Sequence, residues 1–257
     1  MVNLSNIKVA YGSRILFKNA GFLIRSGDKI GLVGPNGSGK TTVFRLIASE
    51  ESPDEGSVTV DPGIVVGYFS QDVGEMSGHS VLNEVFTRAG RVFKASIEMA
   101  EMEHLMSDQE AMSAMADDEM EKFMDHYGEI QSEFQNLGGY ELEDNAKAIL
   151  DGLGIPEERQ NQRVETFSGG WKMRIALARI LVLNPNVLLI DEPTNHLDIA
   201  SREVLLEALQ DFEGTIIIVS HDRYFLRNVV NRVFEIDHGA MRIFEGDYNY
   251  YLEKNSL

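Results

Sequence analysis

Along the first 74 residues the apolar positions come in short runs broken by turn residues, the pattern of strands rather than long helices. Val2, Leu4, Ile7 and Val9 predict a first strand that ends at the Tyr11-Gly12 turn. Ile30-Gly31-Leu32-Val33 is a buried-strand run that feeds a glycine-rich loop. Residues 41–48 then follow a helical period, with Val43, Leu46 and Ile47 on one face. Residues 57–60 and 64–69 predict two more strands, separated by Asp61-Pro62-Gly63.

Near His79 the period changes. Residues 80–137 hold no proline, and apolar side chains recur at helical spacing: Met99, Met102 and Met106, then Met120, Phe123 and Met124. Such a stripe reads as the seam of a helical hairpin or, less commonly, as an adaptable binding groove. Gly138-Gly139 breaks the second helix, and a third helical pattern covers residues 142–153. Strand–helix alternation returns after Val164. Residues 187–190 and 215–220 are near-continuous apolar runs, as expected of parallel strands covered on both faces. Residues 171–183 and 201–212 predict the helices between them. Two short strands (233–236 and 241–244) and a last helix capped by Asp247 close the chain. The expected fold is a single α/β domain over residues 1–257. Its core takes residues 1–74 and 166–257, and an α-helical insert, residues 75–165, interrupts it.

Composition narrows the function classes. The chain has 257 residues, 43% apolar and 25% charged, the proportions of an ordinary globular protein. No apolar run approaches the ~20 residues needed to cross a bilayer, so membrane insertion is not expected. The N-terminal sequence lacks a signal-peptide pattern, which favours a cytoplasmic location. Cysteine is absent, which excludes disulfides, thiol catalysis and cysteine-ligated zinc.

Charge changes the picture of the insert. The chain carries a net charge of −18, and between Ala95 and Ala146 there are fifteen Asp and Glu against one Lys, Lys122. Phosphate backbones are bound mainly by Lys and Arg, so this block is not expected to touch nucleic acid. It reads as a solvated helical face or as a contact surface for a basic partner.

Two segments carry the candidate chemistry. Gly34-Pro35-Asn36-Gly37-Ser38-Gly39-Lys40-Thr41 matches G-x-x-x-x-G-K-[ST] and sits between a predicted strand and a predicted helix, with Thr42 following. Its glycines let backbone N–H groups turn inward around phosphate oxygens, and the helix start adds positive potential. Lys40 is then placed for the β- and γ-phosphates, and Thr41 for a hydroxyl ligand to Mg²⁺. The second segment is Val187-Leu188-Leu189-Ile190-Asp191-Glu192. A buried strand ending in two acids delivers Asp191 to the Mg²⁺ shell and sets Glu192 to polarise an attacking water as general base. ATP and Mg²⁺ are the expected cofactors.

Phe167-Ser168-Gly169-Gly170-Trp171 opens a helix, with Ser168 placed 23 positions before Asp191. Together with the two phosphate-site segments, this set resembles the ATP-binding cassette (ABC) ATPases over nearly the whole chain. The resemblance implies a P-loop NTPase fold of ABC type: a mixed sheet core, an antiparallel β subdomain and an inserted α-helical subdomain. It implies ATP hydrolysis in a composite site, where Ser168, Gly169 and Gly170 face the γ-phosphate held by a second cassette. It also assigns Tyr11 to stacking on adenine and Gln71 to Mg²⁺. Asp198 falls to contact with the partner cassette and His221 to the γ-phosphate.

Asp191-Glu192-Pro193-Thr194-Asn195-His196-Leu197-Asp198 and the Trp171 that closes the signature look like the ABC-F branch. That branch implies a soluble protein with two cassettes on one chain and a role on the ribosome in translation. By the same resemblance this chain is a first cassette, a fragment ending just before the interdomain linker. Its second cassette would come from the full-length protein or from a homodimer of the fragment. The alternative is the energy-coupling ATPase subunit of an ABC transporter with separate membrane subunits. A DNA-repair ABC ATPase ranks lower, because those carry long coiled-coil insertions.

Overall fold

A computed structural model describes residues 1–12, 14–70, 74–194 and 197–255. In chain order, β1 (Val2–Tyr11), β2 (Arg14–Ile24), β3 (Lys29–Val33), α1 (Lys40–Ile47), β4 (Glu55–Val60) and β5 (Val66–Phe69) come first. A helical stretch follows: α2 (Val81–Phe86), α3 (Arg91–Ser107), α4 (Gln109–Ala114), α5 (Asp117–Asn136), α6 (Gly139–Gly152) and α7 (Glu157–Gln160). The last part alternates: α8 (Gly169–Leu181), β6 (Val187–Asp191), α9 (Ile199–Asp211), β7 (Thr215–Val219), α10 (Arg223–Val229), β8 (Arg232–Asp237), β9 (Ala240–Phe244) and α11 (Tyr248–Asn255).

These elements form two compact units. One comprises Met1–Gly74, Gly169–Met173 and Leu183–Leu257; the other comprises Glu75–Ser168 and Arg174–Val182.

The first unit contains both sheets. Six strands run in the order β5-β6-β7-β3-β8-β9, parallel except for β9, which pairs antiparallel with β8. Every residue of β6 and β7 is buried, which explains why both strands are continuous apolar runs. A second, antiparallel sheet has the order β2-β1-β4. One apolar cluster joins Phe17, Phe22 and Ile24 of that sheet to Phe44 and Ile47 of α1 and to Leu189, Phe234 and Ile236 of the larger sheet. Phe22 and Phe234 meet edge-on, with ring centroids 5.0 Å apart. β2 is the one long strand that the apolar pattern does not reveal. Adjacent Leu16 and Phe17 are both buried, and shifts in the β1–β2 register break the strict alternation a half-buried strand should show.

The second unit is helical. α3 and α5 form a hairpin whose centre is Ala95, Met99, Met102, Ile130 and Phe134. On α3 Met99 and Met102 of the methionine stripe are therefore a packing seam, and half-buried Met106 lies outside that cluster. On α5 the stripe is only partly realised: Phe123 packs against this cluster, while Met124 is 47% exposed. Polar pairs brace the hairpin from outside, Arg91 with Glu133 and the Tyr127 hydroxyl with Glu103 at 2.8 Å. Gly138 turns the chain into α6 with φ at +70°, a conformation that favours glycine.

Candidate functional site

β3 runs straight into the glycine-rich loop, and two of its glycines are sterically required. A Cβ on Gly34 (φ +150°) would lie 2.3 Å from the Ile236 carbonyl oxygen, which is fixed backbone. A Cβ on Gly39 (φ +106°) would lie 2.4 Å from the buried Phe17 ring. The chain therefore turns sharply and enters α1 with Lys40 at its first position. The Lys40 ammonium donates to the carbonyls of Gly34 (2.9 Å) and Pro35 (3.1 Å), lying back along the loop. Burial pulls its pKa below the usual lysine value, and the Glu192 and Asp191 carboxylates oppose that shift.

β6 brings the two acids to the same place. The Thr41 hydroxyl donates to Asp191 Oδ2 at 2.9 Å, joining the start of α1 to the end of β6. Asp191 is buried, and desolvation raises its pKa against the lowering influence of the Thr41 hydrogen bond and of Lys40. The neighbouring Tyr68 hydroxyl is pushed up to about 12, by burial first and by Asp191 second. Glu192 is held at φ +49°, a conformation costing a non-glycine residue about 1–3 kcal/mol. Its N–H is fixed on the Val219 carbonyl at 2.9 Å. The Glu192 carboxylate reaches across to β7's end, where Oε2 accepts from the His221 backbone N–H at 3.3 Å and Oε1 lies 3.2 Å from His221 Nε2.

Lys40, Thr41, Asp191, Glu192 and His221 line one cleft of about 660 Å³ together with Tyr11, Arg14, Leu16, Asn36, Gly37, Gly39, Thr42 and Val219. Tyr11 is 51% exposed, and its hydroxyl donates to Glu51 at 2.6 Å; Arg45 binds the other Glu51 oxygen at 3.0 Å. That chain of polar contacts presents the ring at the cleft's mouth. Arg14, like Leu16, is a lining residue that no motif points to. Its guanidinium donates to the Gly37 carbonyl at 2.7 Å and so leans on the loop from β2.

The described residues fit a nucleoside triphosphate with Mg²⁺. Ser38 Oγ, within the loop, is buried without a hydrogen-bond partner among the described residues, as a polar atom awaiting a phosphate oxygen would be. Thr41 and Asp191 form a hard-oxygen pair, the donor type Mg²⁺ prefers. Among the described residues no group of three or more His, Asp and Glu is arranged to hold a metal ion by itself. A cation here would therefore take the rest of its shell from phosphate oxygens and water.

Ser168, Gly169, Gly170 and Asp198 sit at two helix starts. Ser168 is exposed at the N-cap of α8, and its hydroxyl makes no capping bond to that helix. Gly169 and Gly170 form the first turn of α8, and Asp198 caps α9 through the Ser201 N–H at 2.7 Å. Gly169, Gly170 and Asp198 do not line the cleft. Gln71, Asn195 and His196 lie outside the described residues.

A family model described as ABC transporter matches residues 17–195. ABC transporter F family member 5 of Arabidopsis thaliana is 36% identical over 98% of this chain, and 36% of that protein's length is covered. The energy-dependent translational throttle protein EttA of Mycobacterium tuberculosis is 34% identical over 98% of this chain and is covered over 43% of its length. The chain thus spans between about a third and a half of the curated relatives it matches. A solved dimer of an ATP-binding cassette, in a post-hydrolysis state bound to ADP and Pi, is similar in fold. Its TM-score is 0.67 at 23% identity, with 95% of this chain and 98% of that one covered.

Proposed function

This chain belongs to the ABC transporter family as an ABC ATPase cassette, and we propose that it is one half of a two-cassette ABC-F protein that acts on the ribosome. The carrying observation is similarity over 98% of the chain to an F-family member and to a translational throttle protein. Trp171 in the signature and the Thr194-Asn195-His196 segment point to the same branch.

In this reading the loop from Gly34 to Thr42 wraps the triphosphate with N–H groups, and Lys40 turns from its two carbonyls toward the β- and γ-phosphates. Thr41 and Asp191 would hold Mg²⁺, and the family resemblance would add Gln71 to them. When bound, that ion draws charge from the phosphate oxygens. Glu192 accepts a proton from the attacking water, and its strained backbone with two anchors on β7's end keeps the carboxylate aimed. His221 steadies the γ-phosphate beside it. Tyr11 stacks on adenine. Ser168, Gly169, Gly170 and Asp198 serve the nucleotide bound by the second cassette, as the family resemblance implies.

The test uses the full-length protein with Glu192→Gln and the corresponding change in its second cassette, which should trap ATP. Co-purification of the trapped protein with ribosomes is the expected result. Co-purification with membranes instead would establish the transporter-subunit alternative. A gene that stops after one cassette would remove the two-cassette reading.

A further inference from the structure

Another cavity, of about 240 Å³, lies in the same unit, against the start of the loop. Its walls are Leu32, Val33 and Gly34 from β3 and the loop's first residue, then Lys40, Ser220, His221, Arg223 and Tyr248. Lys40 and His221 also line the nucleotide cleft, so the two spaces share those side chains.

The polar lining is of one kind. Lys40, Arg223 and His221 supply cationic or N–H donors, and Ser220 and Tyr248 add hydroxyls. Among the described residues no carboxylate lines the cavity, in a chain whose net charge is −18. The carboxylates nearest in sequence are committed elsewhere. Asp222 pairs with Arg202 at 2.9 Å and caps α10 through the Tyr224 and Phe225 N–H groups. Asp247 accepts from the Tyr250 N–H at 2.8 Å. Glu192 reaches His221 from the nucleotide side. The volume is that of roughly eight waters, ample for a tetrahedral oxyanion with part of its hydration.

We propose that this cavity is an orthophosphate site beyond the γ-phosphate position, with Arg223 as its principal ligand, through which cleaved phosphate leaves. The proposal rests on the reading of the main cleft as a site of ATP hydrolysis. Cleavage joins the water oxygen to the γ-phosphorus and breaks the bond to ADP, leaving a multiply charged phosphate between Lys40 and His221. Both side chains border the cavity, where Arg223 adds a second cation to Lys40, and Asp191 and Glu192, which repel the phosphate, do not line it.

Two arms test the site and the source of its phosphate. In the first, the chain is saturated with a non-hydrolysable ATP analogue and Mg²⁺, and inorganic phosphate is titrated in while its ³¹P line width is followed. Saturable broadening is expected in the native chain. It should fall at least tenfold in Arg223→Gln, return in Arg223→Lys, and persist in Arg227→Gln, which alters an exposed residue on the same helix. Equal broadening in Arg223→Gln and the native chain, or none in either, overturns the site. Analogue affinity measured in the same samples reports separately on the main cleft. In the second arm, acid-quench cleavage is compared with release to a phosphate-binding reporter. A longer delay between the two in Arg223→Gln, reversed in Arg223→Lys, assigns the site to product phosphate. An unchanged delay overturns the exit role.

Discussion

The nucleotide core and the helical hairpin are specified by opposite means. In the core, β6 and β7 are buried at every position, and the loop they support admits no side chain at Gly34 or Gly39. In the hairpin, α3 and α5 meet over five buried residues, and charged side chains occupy most of the remaining surface. A site that must hold a phosphate within tenths of an ångström needs rigid walls on every side. A hairpin needs only a continuous seam, and its outer faces are free to carry charge. A mutation of one kind should therefore have very different effects in the two regions.

Paired carboxamide substitutions give the largest contrast. Glu192→Gln removes the proton acceptor while keeping its shape, so ATP hydrolysis should fall by roughly 10²–10⁴-fold with ATP binding retained. Glu121→Gln, on the exposed face of α5, changes the same atoms and should leave turnover unaltered. Steady-state phosphate production and equilibrium nucleotide binding distinguish the two. Unchanged turnover in Glu192→Gln would remove this residue from the chemistry.

Gly34→Ala comes next. The added methyl meets the Ile236 carbonyl at 2.3 Å, and neither backbone can yield without disturbing β8. Nucleotide affinity should drop roughly 100-fold, equivalent to about 2.7 kcal/mol. Calorimetric titration checks it, and native affinity would show that the loop is more pliant than its contacts imply.

Asp191→Asn exposes a conflict between stability and binding. Because burial raises its pKa, the folded chain holds the Asp191 proton more tightly than the unfolded chain does. Stability therefore falls as pH rises from the ordinary aspartate range through the raised value, and ionised Asp191 remains a cost above it. Removing that charge should raise the Tm of the nucleotide-free chain, by about 2–4 °C for each kcal/mol relieved. The same change should weaken Mg²⁺-dependent ATP binding. Thermal melts with and without ATP and Mg²⁺ should move in opposite directions; a lower Tm without nucleotide would contradict the burial argument.

The core's legibility in the sequence follows from that rigidity. Glycines at 34, 37 and 39 are readable because positive φ and close backbone contact restrict the choice of residue, and two acids ending an all-apolar strand are readable because burial is so unfavourable there. Arg14 was not legible, since it acts on the Gly37 carbonyl from a neighbouring strand and long-range contacts leave no spacing to read. β2 was hidden by its irregular register. In the hairpin, periodicity located the α3 seam but overextended it on α5, where exposed Met124 follows the same period as packed Phe123. A helical period marks a face; it does not mark where that face ceases to be covered.

The smallest effect has the opposite sign. Gly128 lies inside α5 without a positive φ, and a Cβ there would meet nothing within 4 Å. It has no steric reason to be glycine, and a glycine inside a helix costs about 0.5–1 kcal/mol relative to alanine. Gly128→Ala should therefore stabilise the helical unit by that amount, read as slower amide exchange along α5. ATP affinity should stay unchanged. A loss of stability would mean that position 128 is constrained in the folded protein by something other than its own helix.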